Sequence, residues 1–368
     1  MAKVRRMSFV TVRHHLYTVS RPSRGAPVVD DIARQNGVGP VDVDLLRALE
    51  VNALAPAAPH AVKHGTRLHE LALITSYLRI TAANAFVLRA DDYGSSSRRI
   101  KSFVSEAVGL GMLTELVRHL AGGGRMGPLY DFDALPATLA GRFRRPGVRP
   151  DLLFAMERHW LAGESRGRTE RRPVRVTKEP RKRLDALLPW AAAHGDHPLV
   201  MTWCYLAGTG VTVDVYREAG QGERLALDFT GRRNGPAKAG DGEWLRDRQS
   251  DDVGTEYLFE HVLATRARVE EQLYSSAPPT GIRIAERPLR GGWTPADLIA
   301  GEPGALFLGV LERPVSPEEG LESAAVLADR GIDDGSGLSV LIRERLVLAL
   351  ATGRTGQPWD VLGGQLSS

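Results

Sequence analysis

The stretch from Val148 to Arg168, VRPDLLFAMERHWLAGESRGR, constrains the chain more tightly than any other. It reads as two short strands joined by a turn. Val148 to Met156 is apolar apart from Arg149, Pro150 and Asp151, and Glu157-Arg158 supplies a polar turn. His159 to Ser165 then rises again through Trp160, Leu161 and Ala162. Asp151 stands at the start of the first strand and Glu164 near the end of the second. In a hairpin those ends lie side by side, about 5 Å apart. Strand alternation sends Glu164 and Arg166 to one face. Two acids and a cation converging at one hairpin mouth suit a divalent metal held against a phosphate.

The surroundings give this hairpin a setting. Arg98 to Leu120 reads as a helix with Ile100, Val104, Val108, Met112, Leu116 and Leu120 on one face and Glu106 off that stripe. A strand candidate follows at Leu129 to Phe132, where Asp131, like nearby Asp133, is read as edge-strand solubility. The basic loop Arg142 to Arg149 opens into the hairpin, and a second basic run, Arg168 to Arg183, leaves it. Glu179 to His194 is helical, and Pro198 to Tyr205 is near-continuously apolar, as fits a strand covered on both faces. Val211 to Tyr216 alternates cleanly as a further strand.

Pro150-Asp151 followed by Glu164-Ser165-Arg166 resembles the signature of the restriction-endonuclease-like nucleases, the PD-(D/E)xK superfamily, with Arg166 where the pattern has lysine. The resemblance covers roughly 98–220 and implies an α/β core in which a helix precedes a mixed sheet, the hairpin is central and a second helix returns to the next strand. It implies that Asp151 and Glu164, helped by the Ser165 carbonyl, bind Mg2+ (or Mn2+), and that Glu106 is an accessory acid. Arg166 is then the phosphate-facing cation, since arginine does not accept a proton. Arg145, Arg149, Arg168, Arg171, Arg172 and Lys178 are the expected nucleic-acid contacts. The activity implied is metal-dependent hydrolysis of DNA, with prokaryotic restriction or defence against foreign DNA as the setting by analogy. The alternatives are an inactive protein of this fold that binds nucleic acid or serves as an assembly subunit, and an unrelated α/β protein.

A net charge of +4 is compatible with a polyanionic partner without requiring one. Cys204 is the single cysteine, read as a buried apolar side chain, so neither a disulfide within the chain nor a cysteine-based zinc site is expected. With no long apolar run and no signal-peptide pattern, a cytoplasmic protein that does not enter the membrane is expected, as a homodimer or with a partner protein among the open arrangements.

The expected organisation is a mostly helical region over 1–97, the nuclease core over 98–228 and an α/β region over 229–368. Ser8 to Val12 reads as a strand, followed by His14 and His15 on a solvated arm. Val28 to Asn36, Asp42 to Asn52 and Arg67 to Arg89 read as helices. Beyond the glycine-rich stretch after 228, Val253 to Tyr274 reads as a helix, 275 to 303 as loop-rich and Ala305 to Leu311 as a buried strand. Pro317 to Asp329 and Gly337 to Thr352 read as helices. His194 and His197 read as surface loop, and Trp160 and Trp203 as core.

Overall fold

The computed structural model describes residues 7–23, 25–35, 39–55, 61–120, 129–132, 148–155, 160–169, 172–220, 252–284, 287–298, 304–314 and 338–352. The larger sheet has eight strands. These are β1 (Met7–Ser20), β2 (Val28–Arg34), β3 (Gly39–Asp44), β6 (Leu129–Asp131), β7 (Leu152–Ala155), β8 (Trp160–Arg168), β9 (Leu199–Ala207) and β10 (Gly210–Glu218). Their order is β2-β1-β10-β9-β8-β7-β6, with β3 also paired to β1. The sheet is mixed: β1 runs parallel to β10 and β8 parallel to β9, and the other pairs are antiparallel.

Two helices bracket the strands that carry the hairpin. One is α4 (Arg98–Leu120), packed on β8, and the other is α5 (Lys178–Ala193) on the opposite face. The order helix, strand, hairpin, helix, strand between 98 and 218 is the order expected from the sequence. β9 is buried along all but its last residue, which accounts for its unbroken apolar run. The contact between α4 and β8 is close enough to require glycine. A Cβ at Gly167 would lie 1.7 Å from the Ser105 carbonyl oxygen, and one at Gly109 2.7 Å from Ser165 Oγ. These approaches seat α4 directly against Ser165 and Gly167.

A second, antiparallel sheet has the order β11-β12-β13-β15-β14, from β11 (Pro279–Ile284), β12 (Arg287–Pro295), β13 (Gly304–Leu311), β14 (Leu338–Arg343) and β15 (Leu346–Thr352). Between the two sheets lie α1 (Leu45–Ala53) and α2 (His64–Ser76), and their core joins Val10 and Val213 to Leu46, Leu71, Leu116, Leu306 and Leu348. Asp44 caps α1 through Leu46 N and Arg47 N, a contribution of about 1 kcal/mol. Buried Glu115 of α4 in turn accepts from Asp44 N at 3.0 Å, which ties the helix start to the core. Glu50 of α1 pairs with Arg343 at 2.9 Å and with Arg266 of α6 (Asp252–Ser276) at 3.4 Å, joining the second sheet to the same layer. β4 (Leu78–Ile80), β5 (Phe86–Leu88) and α3 (Ala90–Ser95) complete the described elements. No helix among the described residues is long and apolar enough to cross a membrane.

Several sequence expectations are corrected. The N-terminal region is not mostly helical, because β1, β2 and β3 extend the main sheet. Val28 to Asn36 is β2: Val29 is buried against α5, Asp185 accepts its amide at 2.7 Å, and this tertiary pairing overrides the acidic start that suggested a helix. Asp42 to Asp44 belong to β3, so the helix expected from 42 begins at Leu45. The helix expected to reach Arg89 ends at Ser76, and the β4–β5 hairpin follows, turning through Asn84 at φ 62°. The stretch expected to be loop-rich over 275–303 carries β11 and β12. Gly337 to Thr352 is not helical; β14 and β15 form a hairpin with Glu344 at φ 54° in its turn. A short, nearly unbroken apolar run has no periodicity to separate the two outcomes. His15 is buried rather than solvated. The turn at Glu157-Arg158, Asp133 and the helix expected at Pro317 to Asp329 lie outside the described residues.

Candidate active site

The register Leu152↔Gly163 sets Asp151 across from Glu164 at the open end of the β7–β8 pair. Asp151 stays tied to its neighbours there: its amide donates to Gly163 O at 2.9 Å and its carboxylate accepts from Ser165 N at 2.8 Å. In an extended strand the amide and carbonyl of one residue point to the same side. The Ser165 carbonyl therefore shares the side on which Asp151 stands.

Glu164 is completely buried, and its two oxygens have different surroundings. Oε1 is held by two guanidinium groups, Arg183 Nε at 2.7 Å and Arg166 Nη2 at 2.8 Å. Oε2 is buried and receives no hydrogen bond from an N–H or hydroxyl group, and the Asp151 and Glu164 carboxyls lie close enough to share a proton. A carboxylate fixed by one oxygen presents the other in a set orientation. Arg183, on α5, escaped the sequence reading. The surviving signal was only its place in the basic run, and spacing does not show that α5 returns over β8.

The charge balance of the site follows from this burial. Desolvation pushes the Glu164 carboxyl up to about 7, with the Asp151 charge adding to the rise and the two arginines opposing it. Asp151 is also raised, first by burial, against the pull of the Ser165 amide and of Arg166. Asp131, on edge strand β6, is raised to about 6 by burial and by the charge of Asp151. Asp131 keeps the edge-strand place expected of it, but it is half-buried rather than fully solvated and lies within electrostatic reach of Asp151. Crowded carboxyls of this kind give up their protons readily only when a cation arrives to share them.

Two carboxylates and a carbonyl, one carboxylate oxygen receiving no N–H or hydroxyl hydrogen bond, fit a magnesium ion, which keeps several of its own waters. Among the described residues no three His, Cys, Asp or Glu side chains group as a metal set, so water would complete the coordination.

The other expected site residues divide. Glu106 is exposed on α4, beside Ser105. Ser165 turns toward α4 and Glu164 toward α5, so Glu106 and the Glu164 carboxylate belong to opposite faces of the sheet. Arg168 is exposed and lies over the ring of buried Trp203 at 5.2 Å. Arg172 and Lys178 are exposed, and Arg149 is exposed just before buried Pro150. Arg145 and Arg171 lie outside the described residues. Trp203 and Cys204 are core residues as expected, while Trp160 is half-buried. His194 and His197 are half-buried against Trp190, with ring centroids at 4.8 and 5.3 Å.

Compared with family models, with curated proteins and with solved structures, the chain matches none.

Proposed function

We propose that the chain is a magnesium- or manganese-dependent nuclease of the restriction-endonuclease-like kind, acting on DNA. The observation that carries this reading is the meeting of Asp151 with Glu164, whose Oε2 is buried and receives no hydrogen bond from an N–H or hydroxyl group. The order α4, β6, β7–β8, α5, β9 around the hairpin supports it. A divalent ion held by Asp151, Glu164 and the Ser165 carbonyl would polarise a phosphate oxygen and provide a water acidic enough to attack near neutral pH.

The protein's own side chains do the rest. Arg183 and Arg166 hold the Glu164 carboxylate in one orientation. Arg166 spends one N–H on Glu164 and has others with which to bind phosphate oxygen and balance the charge that develops there. It orients and neutralises, and removes no proton. Glu106 stands too far round the sheet to share this task, so the accessory role implied by the resemblance is dropped from the proposal.

The experiment is incubation of supercoiled plasmid with the full-length chain and Mg2+ or Mn2+, with and without a chelator. Nicked and linear products that disappear on chelation are expected. Intact plasmid across metals and protein concentrations would remove the enzyme from the reading. A second reading is favoured by the double arginine clamp on Glu164, which is also what a metal-free, structural carboxylate looks like. A nucleic-acid-binding protein without cleavage would then show metal-independent, salt-sensitive DNA affinity.

A further inference from the structure

On the sheet face that carries Glu164 and Arg166, a row of residues runs across four strands. Arg166 pairs in register with Trp203, Trp203 with Asp214 and Asp214 with Arg13. Arg13 and Asp214 are buried to 2% and 1% exposure and form a two-pronged ion pair. The guanidinium has a further donor, Nη1, which reaches the Pro173 carbonyl at 3.1 Å. Pro173 belongs to the segment leaving β8, so a buried pair in the sheet fixes the backbone of a surface loop. Beside that anchor stand exposed Arg172 and Arg175, and between them Val174 is 86% exposed. From Arg166 to Lys178 the sequence carries six basic side chains against one acid, Glu170.

We infer that Arg172, Val174 and Arg175 form a preorganised contact for the sugar–phosphate backbone of duplex DNA, held in place by Arg13 and Asp214. This deepens the nuclease reading and rests on it for the choice of partner. Single-strand binding proteins present aromatic side chains on which bases stack. This loop presents two guanidinium groups and an aliphatic tip, and the nearby indole of Trp203 is buried. Three strand spacings separate Arg166 from Arg13, about 14 Å. That is comparable to the width of a major groove, about 12 Å, so the site and the loop can reach phosphates on its two sides. An anchored loop loses little freedom on binding, whereas a loose one would have to be ordered by the ligand.

The test is fluorescence anisotropy with a labelled duplex and the matching single strand, over a salt series and in the absence of divalent metal. Full-length wild type is compared with Arg172→Gln/Arg175→Gln, two exposed changes that leave the core alone. The duplex is expected to bind more tightly than the single strand. The double variant is expected to lose affinity equally for unrelated duplex sequences and to flatten the log–log salt slope by about 2. An unchanged slope in the variant, or a preference for the single strand, overturns the inference even where plasmid cleavage is intact. Wild type that binds duplex with the expected dependence yet cleaves nothing sinks the nuclease reading and leaves the loop assignment standing. Absence of duplex binding at low salt removes both.

Discussion

Asp151→Asn is expected to cut metal-dependent plasmid cleavage by orders of magnitude while leaving the protein folded. The change keeps the shape of the side chain and an oxygen able to accept the Ser165 amide, now 2.8 Å from the carboxylate. What it removes is the negative charge that a divalent ion needs. A metal on a phosphoryl oxygen contributes several kcal/mol of transition-state stabilisation, and each 1.4 kcal/mol or so is a factor of ten. The loss should therefore be on the order of a hundred- to a thousandfold. Stability moves the other way. Asp151 titrates above its ordinary range in the folded chain, so whatever it contributes is present at low pH and is lost as pH rises through the folded value. At pH 8 the neutral amide thus gives up nothing, and its melting temperature should equal or exceed that of wild type. Cleavage at the wild-type rate by a folded Asp151→Asn protein would mean that no metal is held there.

The second large effect lies in the Arg13–Asp214 pair. Burial alone would push the Asp214 carboxyl up, but the His15 ring, 3.5 Å away, and the Arg13 guanidinium hold it below its ordinary range. Tyr216 also approaches it, with the hydroxyl 3.4 Å from Oδ2, and the His15 ring stacks on Tyr216. Replacing Arg13 by Met strands a carboxylate in a site with almost no solvent. Breaking a buried pair in this way costs about 3–5 kcal/mol. Replacing both partners, as in Arg13→Met/Asp214→Leu, should recover most of that, because an apolar pair of similar volume removes the stranded charge. Urea denaturation measures both. A single Met variant within about 1 kcal/mol of wild type would show that the pair is not the buried anchor its geometry suggests. The sign with pH is also fixed: a carboxyl held below its ordinary range stabilises above its unfolded value, and that stability is lost as acid protonates it.

How much of this was readable in advance depends on the range of the interaction concerned. The hairpin was legible because strand alternation has a period of two, so Asp151, Glu164 and Arg166 could be placed from spacing alone. α4, α5, β9 and β10 were legible for a related reason, since each carries its own pattern of burial. The partners brought in from a distance were not legible. Arg183 reaches Glu164 only because α5 folds back over β8, and Arg13 meets Asp214 only because β1 lies parallel to β10. Nothing in the first forty residues announces that pairing: Val28 to Arg34 had acids where a helix start would have them, yet its amides and carbonyls are claimed by β1 and α5. The β14–β15 hairpin failed for want of periodicity, because Val340, Leu341, Val347 and Leu348 are all buried and give a run without faces. Glu106 shows the opposite error. Its place off the apolar stripe was read correctly, and it is exposed, but α4 lies on the face of the sheet away from the Glu164 carboxylate.

The central claim is that Asp151 and Glu164 share one divalent cation, and titration of Mn2+ into the full-length chain, followed calorimetrically and by the electron paramagnetic resonance of the free ion, tests it most directly. At pH 8 one ion should bind per chain, and Glu164→Gln and Asp151→Asn should each abolish that site. Because burial holds Glu164 near 7, binding should weaken sharply toward pH 5 and should release protons near neutrality. Equal Mn2+ binding by wild type and both variants, or none by wild type at pH 8, would contradict the shared site.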